Sequence, residues 1–143
     1  MSTTPVAREL RFDDINVGDS ASVEHRVSEK DVAAFAEVSG DRSPLHVDET
    51  YASATPLGKR VVHGMLLGAF VSQLIGMQLP GRRALILTTT LEFKKPVHIE
   101  DLIRVEGTVV RTSAATRIIE VAITILVHNV TMVQGSAHVL VRE

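Results

Sequence analysis

The most constraining feature of this chain is a switch in its hydrophobic period near residue 80. From Gly64 to Leu79, Leu66, Leu67, Phe70, Val71, Leu74 and Ile75 recur at helical spacing and cover most of a helix circumference. A helix apolar around most of its surface has to be enclosed by the rest of the fold. Pro80-Gly81 ends it, and from there apolar residues recur at every second position. Leu85, Leu87, Leu91 and Phe93 form one set, and Ile103, Val105 and Val109 the next. Ile119, Val121, Ile123, Ile125 and Val127 form a third, and Val133, Ala137, Val139 and Val141 a fourth. Thr88, Thr90, Glu92, Arg104, Glu106, Glu120, Thr124, Gln134, His138 and Arg142 fall on the opposite faces. This alternation predicts one antiparallel sheet, apolar on one side and wetter on the other. The fold class is therefore α+β, with the sheet wrapped around the enclosed helix.

The first half is mixed. Ala21, Val23, His25 and Val27 alternate as one face of a further strand. Ser28-Glu-Lys-Asp31 has the form of a capping box, and Val32, Phe35, Ala36 and Val38 follow at helical spacing until Gly40. Asp41 to Asp48 reads as a loop, because Pro44 forbids a continuous helix through it. A short helix is expected after Asp48, and another connection at Pro56 to Lys59.

With 143 residues and no linker, repeat or low-complexity tract, residues 1–143 are expected to form a single domain. The absence of Cys excludes disulfides, a thiol nucleophile and thiolate metal sites. A formal charge of −2 gives no excess of positive charge to track a phosphate backbone, and 3% aromatics give no base-stacking platform. Nucleic acid is therefore not an expected partner. The Met65–Leu79 segment is interrupted by Gly68, Ser72, Gln73, Gly76 and Gln78, and it falls short of the ~20 residues of a membrane span. Met1 to Leu10 has no basic segment followed by an apolar stretch, so the expected location is the cytoplasm, with no membrane partner. Asn129-Val130-Thr131 matches a glycosylation sequon, but without a secretory route it reads as part of a hairpin turn.

Three segments can carry chemistry. Asp41 and His46 stand five residues apart around Ser43-Pro44, a carboxylate and an imidazole suited to general acid–base work. The plain alternative is an Asx-type turn with a surface histidine. Val62-His63-Gly64-Met65 opens the enclosed helix, where free N–H groups and the positive dipole end can stabilise an oxyanion. Its alternative is an ordinary helix start with a satisfied His63. Phe93-Lys94-Lys95-Pro96-Val97 offers two lysines to a phosphate, or is simply a solvated strand end. His46, His63, His98, His128 and His138 lack metal-protease spacing, and neither a nucleophile elbow nor a phosphate loop is present, so no metal is expected.

Taken in order, Phe35-Ala-Glu-Val-Ser-Gly-Asp41-Arg-Ser-Pro-Leu-His46-Val-Asp48, Val62-His63-Gly64-Met65-Leu66 and Leu91-Glu-Phe-Lys-Lys-Pro-Val97 closely resemble the MaoC-like hydratases and dehydratases. These are the (R)-specific enoyl-CoA hydratases of the hot-dog fold, and the likeness runs from about Phe12 to the C-terminus. The resemblance implies a lyase that adds water to a trans-2-enoyl thioester, or removes it from an (R)-3-hydroxyacyl thioester. It implies Asp41 and His46 as the catalytic pair holding one water, and Gly64 as the backbone N–H donor to the thioester oxygen. Ser43, His63, Met65, Phe93, Lys94 and Lys95 are the implied substrate contacts. Lys94 or Lys95, with Arg82 or Arg83, would meet the phosphates of coenzyme A. No cofactor is implied beyond the acyl-CoA substrate itself, and a homodimer is the implied assembly.

Three positions depart from the family pattern. Ser43 stands where Asn is usual, Ala69 where some members have Ser, and Glu100-Asp101 where Gly-Asp follows the strand start. The first two bear on rate and substrate choice. Two rival readings share this fold: an acyl-CoA thioesterase, which would release free thiol, and a non-catalytic or partner subunit of a heteromeric dehydratase.

Overall fold

The structure, a computed structural model, describes residues 3–143; Met1 and Ser2, part of the segment read for a targeting signal, lie outside the described residues. A 3-10 turn at Phe12–Asp14 leads into β1 (Ser20–Arg26). Four helices follow: α1 (Glu29–Ser39), α2 (Pro44–Val47), α3 (Glu49–Ser53) and α4 (Gly64–Met77). The chain then runs through β2 (Ala84–Phe93), β3 (Leu102–Ser113), β4 (Ile118–Val127) and β5 (Val130–Val141). All five strands form one antiparallel sheet in the order β1-β3-β4-β5-β2. No helix is long and apolar enough to cross a membrane among the described residues.

The period-2 patterns of β3, β4 and β5 become one buried face. Ile103, Val105, Val109, Ile119, Val121, Ile123, Ile125, Val133, Ala137, Val139 and Val141 are all buried, and they pack with Leu66, Leu67, Val71, Leu74 and Ile75 of α4. This is the hot-dog arrangement, a curved sheet around a central helix. Gly107 shows how close the two layers come: a Cβ there would stand 2.8 Å from a Leu74 methyl, well inside normal contact. One stripe of α4, at Met65, Ala69, Ser72 and Gln73, stays exposed, so the enclosure is less complete than the spacing implies.

Two expectations need correction. The alternation of Leu85, Leu87, Leu91 and Phe93 suggests a strand with one buried face. In the structure β2 is an edge strand with a bulge between Ile86 and Thr88 that breaks the phase. Leu91 packs against the core, whereas Leu85, Leu87 and Phe93 are 49%, 46% and 48% exposed. The segment from Asp41 to Asp48 is not all loop either. Pro44 occupies the first turn of α2, the one helical position where its missing N–H costs nothing.

The other local signals fold as their chemistry dictates. Ser28 caps α1 with its hydroxyl accepting from the Asp31 N–H (3.1 Å), while the Ser28 N–H donates to the Asp31 carboxylate (2.9 Å). Gly40 ends that helix at φ 75°, a left-handed conformation that suits glycine. Asp48 caps α3 by accepting from the Tyr51 N–H (3.0 Å). His128 and Asn129 form the β4–β5 turn with φ 49° and 61°, the region Asn tolerates best among ordinary residues.

Candidate active site

The stop at Gly40 sets the direction of the next eight residues. Ser39 donates its hydroxyl to the Phe35 carbonyl (2.6 Å) and accepts from the Asp41 N–H (3.0 Å). The Asp41 carboxylate in turn accepts from the Ser43 N–H (3.1 Å), which is the Asx turn of the plain reading. Only one carboxylate oxygen is engaged by that bond, so turn and chemistry coexist at Asp41. α2 then lifts His46, whose Nδ1–H donates to the Val61 carbonyl (2.6 Å). A carbonyl can only accept, so the proton sits on Nδ1 and the Nε2 lone pair is left for another partner.

Arg60 holds this histidine from behind. Its Nε donates to the His46 carbonyl (2.6 Å), and its Nη1 reaches both carboxylate oxygens of Glu29 (2.7 and 2.8 Å). The guanidinium thus ties the first turn of α1 to the residue expected to move protons. Val61 N–H donates to the Leu45 carbonyl (3.2 Å) and Val62 N–H to the Val97 carbonyl (2.8 Å), fixing the strand-like approach to α4.

His63 precedes α4 as its N-cap and makes no side-chain bond to the helix. Its Nε2–H donates instead to the Asp41 carbonyl (2.9 Å), and its ring stacks on His46 with centroids 4.0 Å apart and planes at 25°. One polar atom each from Asp41, His46 and His63 lies within 4.8 Å of the others. That gap suits a water touching two of them at about 2.8 Å each. A metal ion fits poorly: imidazole lone pairs lie in the ring plane, and two near-parallel rings do not converge on an ion about 2 Å from each nitrogen.

Beside this cluster lies a cavity of about 370 Å³ lined by His46, Val61, Gly64, Leu67, Phe93 and Val97, among others. Gly64, at the helix start, has the Phe93 ring so close that a Cβ would stand 3.0 Å from two of its carbons. The first N–H groups of any helix lack intrahelical acceptors, and here Gly64 brings that end to the cavity wall. Apolar walls, one imidazole with a free lone pair and a helix N-terminus together suit an uncharged acyl chain ending in a polarisable carbonyl.

Of the sequence-stated contacts, Phe93, Lys94 and Lys95 line this cavity. Lys94 also pairs with Glu92 (2.6 Å). Ser43 is exposed beside Asp41, Met65 is 64% exposed, and neither lines it. His63 is 1% exposed and faces Asp41 and His46, behind the cavity wall. Arg82 and Arg83 pair with Glu9 beyond the C-terminal end of α4, away from the cavity lining (3.6 and 2.6 Å). Arg60 and Val61 were not singled out from the sequence. Their contacts to His46 span 14 and 15 residues, and no local pattern announces them.

This fold and site define a class. Residues 14–131 match the model of the MaoC-like domain, and the chain belongs to that family. A 3-hydroxybutyryl-CoA dehydratase of Methylorubrum extorquens is 36% identical over 96% of this chain and 87% of its own length. An (R)-specific enoyl-CoA hydratase of Rhodospirillum rubrum is 37% identical over 91% of this chain and 90% of its own. Among solved structures, an unliganded R-hydratase from Pseudomonas aeruginosa superposes with a TM-score of 0.91 at 33% identity, covering 96% of this chain and 88% of that one.

Proposed function

We propose that this chain is an (R)-specific enoyl-CoA hydratase, a hydro-lyase that reversibly converts trans-2-enoyl-CoA into (R)-3-hydroxyacyl-CoA. The observation that carries the reading is the Asp41–His46 pair, with polar atoms within 4.8 Å, beside an apolar cavity whose wall includes the start of α4. Its relatives of like length named as hydratase and dehydratase support the same reaction.

The chemistry follows from the donors. A water held between the Asp41 carboxylate and His46 Nε2 loses a proton as its oxygen bonds to the β-carbon. The π pair of the enoyl double bond moves to the α-carbon, and charge develops on the thioester oxygen. The Gly64 N–H and the positive end of α4 face that oxygen. Delivery of a proton to the α-carbon by the same pair completes the addition, and the reverse sequence eliminates water. The thioester carbonyl is itself the electron sink, so the reaction calls for no cofactor and no metal. Lys94 and Lys95 are the candidates for contact with the phosphates of coenzyme A.

In this reading residues 1–143 work as one domain, in the cytoplasm, as a homodimer joined along the exposed apolar edge of β2. The test is purified protein with crotonyl-CoA, following loss of enoyl-thioester absorbance with a thiol reagent and an (R)-specific coupling enzyme in parallel. Absorbance loss with (R)-3-hydroxy product and no thiol is expected. Thiol release would make the protein a thioesterase instead. Inactivity on crotonyl and longer substrates would point to a subunit that needs a partner.

A further inference from the structure

Among the described residues, a single polar side chain belongs to the fully buried set, and it is His63. Burial of an imidazole calls for partners on both nitrogens. His63 has one: Nε2–H donates to the Asp41 carbonyl (2.9 Å), while Nδ1 is buried with no hydrogen-bond partner. An aliphatic side chain would fill the same space without leaving a buried acceptor unmet, so packing alone does not account for a histidine here. What the ring touches does account for it. It bonds the backbone of Asp41, stacks on His46 at 4.0 Å, rests against Phe35 at 4.8 Å, and sits one residue before Gly64.

We propose that His63 is a positioning residue, one rigid ring that sets Asp41, His46 and the start of α4 relative to one another. The Nε2–H bond holds the Asp41 backbone and with it the direction of the carboxylate. The stacked face holds the plane of His46, so that rotation about its side chain does not carry Nε2 away from the water. His63 spends its Nε2–H on the Asp41 carbonyl and its Nδ1 is enclosed, whereas His46 spends only Nδ1–H on the Val61 carbonyl. His46 is then left as the ring that gains and loses the proton. The proposal rests on the hydratase reading of this site, and it replaces a direct substrate contact for His63 with an indirect role.

Two variants separate the two contacts. His63→Phe keeps a ring for stacking and loses the donor; His63→Gln keeps an amide N–H near the Nε2 position and loses the ring. With crotonyl-CoA, His63→Phe is expected to lower kcat about 100-fold, with KM within about threefold of wild type, the pattern of a misplaced reacting group. His63→Gln is expected to keep at least about a tenth of wild-type kcat, because the bond to Asp41 survives. Thermal melts of both variants correct these rates for the folded fraction. A raised KM with unchanged kcat would make His63 a substrate contact and overturn the proposal. So would wild-type kcat in His63→Phe, or equal losses in both variants.

Nitrogen-15 NMR of the wild-type rings at pH 7 gives a readout independent of activity. It should find the proton on Nε2 of His63 and on Nδ1 of His46; a proton on Nδ1 of His63 would overturn the assignment even if both variants failed to fold. If the wild type hydrated no enoyl thioester, the functional reading would fall, and the ring tautomers would still decide this one.

Discussion

At Gly64 one methyl group separates an open site from a crowded one. Gly64→Ala would place a carbon 3.0 Å from the Phe93 ring, and that ring sits at the half-exposed end of an edge strand, where it can shift. The fold should therefore survive with a melting temperature within a few degrees, while the cavity narrows beside the donor N–H. The expected result is a fall in kcat/KM of about 10- to 100-fold, equivalent to about 1.4–2.7 kcal/mol of barrier. A near-wild-type value would remove Gly64 from the site. Asp41→Asn is a cleaner probe of the carboxylate. The amide oxygen still accepts from the Ser43 N–H, so the turn persists while the negative charge and proton affinity are lost. It and His46→Ala should each lower kcat by about 10²–10⁴. A loss below tenfold in a folded variant would sink the pair.

The elements that carry these residues have their own sensitivities, and α1 is the one most open to pH. Burial alone would raise the Asp31 carboxyl, but the Ser28 backbone N–H, His25 and the Ser28 side chain outweigh it and hold it below the ordinary value of 3.8. A carboxyl lowered on folding stabilises the native state above its unfolded pKa, and that contribution is lost as pH falls through the folded value. Acid titration of stability should thus show wild type losing its margin over Asp31→Asn below about pH 4 and keeping it at neutrality. An unchanged margin at pH 2.5 would refute the linkage. Arg60 is the second lever. Arg60→Ala frees Glu29 and the His46 carbonyl together, with an expected cost of about 1–3 kcal/mol in urea unfolding and a measurable loss of kcat. Much of this was legible beforehand, because Ser28, Gly40, Asp48 and the period-2 strands act through neighbours in sequence. Other features were hidden for equally physical reasons. Pro44 forbids a helix interior yet permits a helix start, and the β2 bulge breaks a phase that looks continuous in the letters. His63 bonds a backbone 22 residues away, a contact that only the closed fold creates.

For the whole molecule the unresolved demand is β2. Among the described residues its outer edge pairs with no strand, yet Leu85, Ile86 and Leu87 lie exposed along it, with Phe93 at its end. An edge carrying unpaired backbone groups and apolar side chains is normally covered or blunted by charge, and β2 carries no charge from Ala84 to Leu91. A second copy can satisfy it by antiparallel pairing of the two edges, which keeps the sheet continuous across a twofold axis. Phe93 both ends this strand and lines the cavity beside Gly64, so pairing at this edge would tie assembly to the candidate site. Light scattering of the wild type should therefore report a dimer. Leu87→Lys places a charge at the bulge, where the side chain is free of the protein's own core, and should yield a folded monomer with kcat/KM reduced at least about tenfold. The unmodified chain appearing as an active monomer at micromolar concentration would refute pairing at this edge. A dimeric Leu87→Lys variant with full activity would move the interface to the open stripe of α4 at Met65, Ala69 and Gln73.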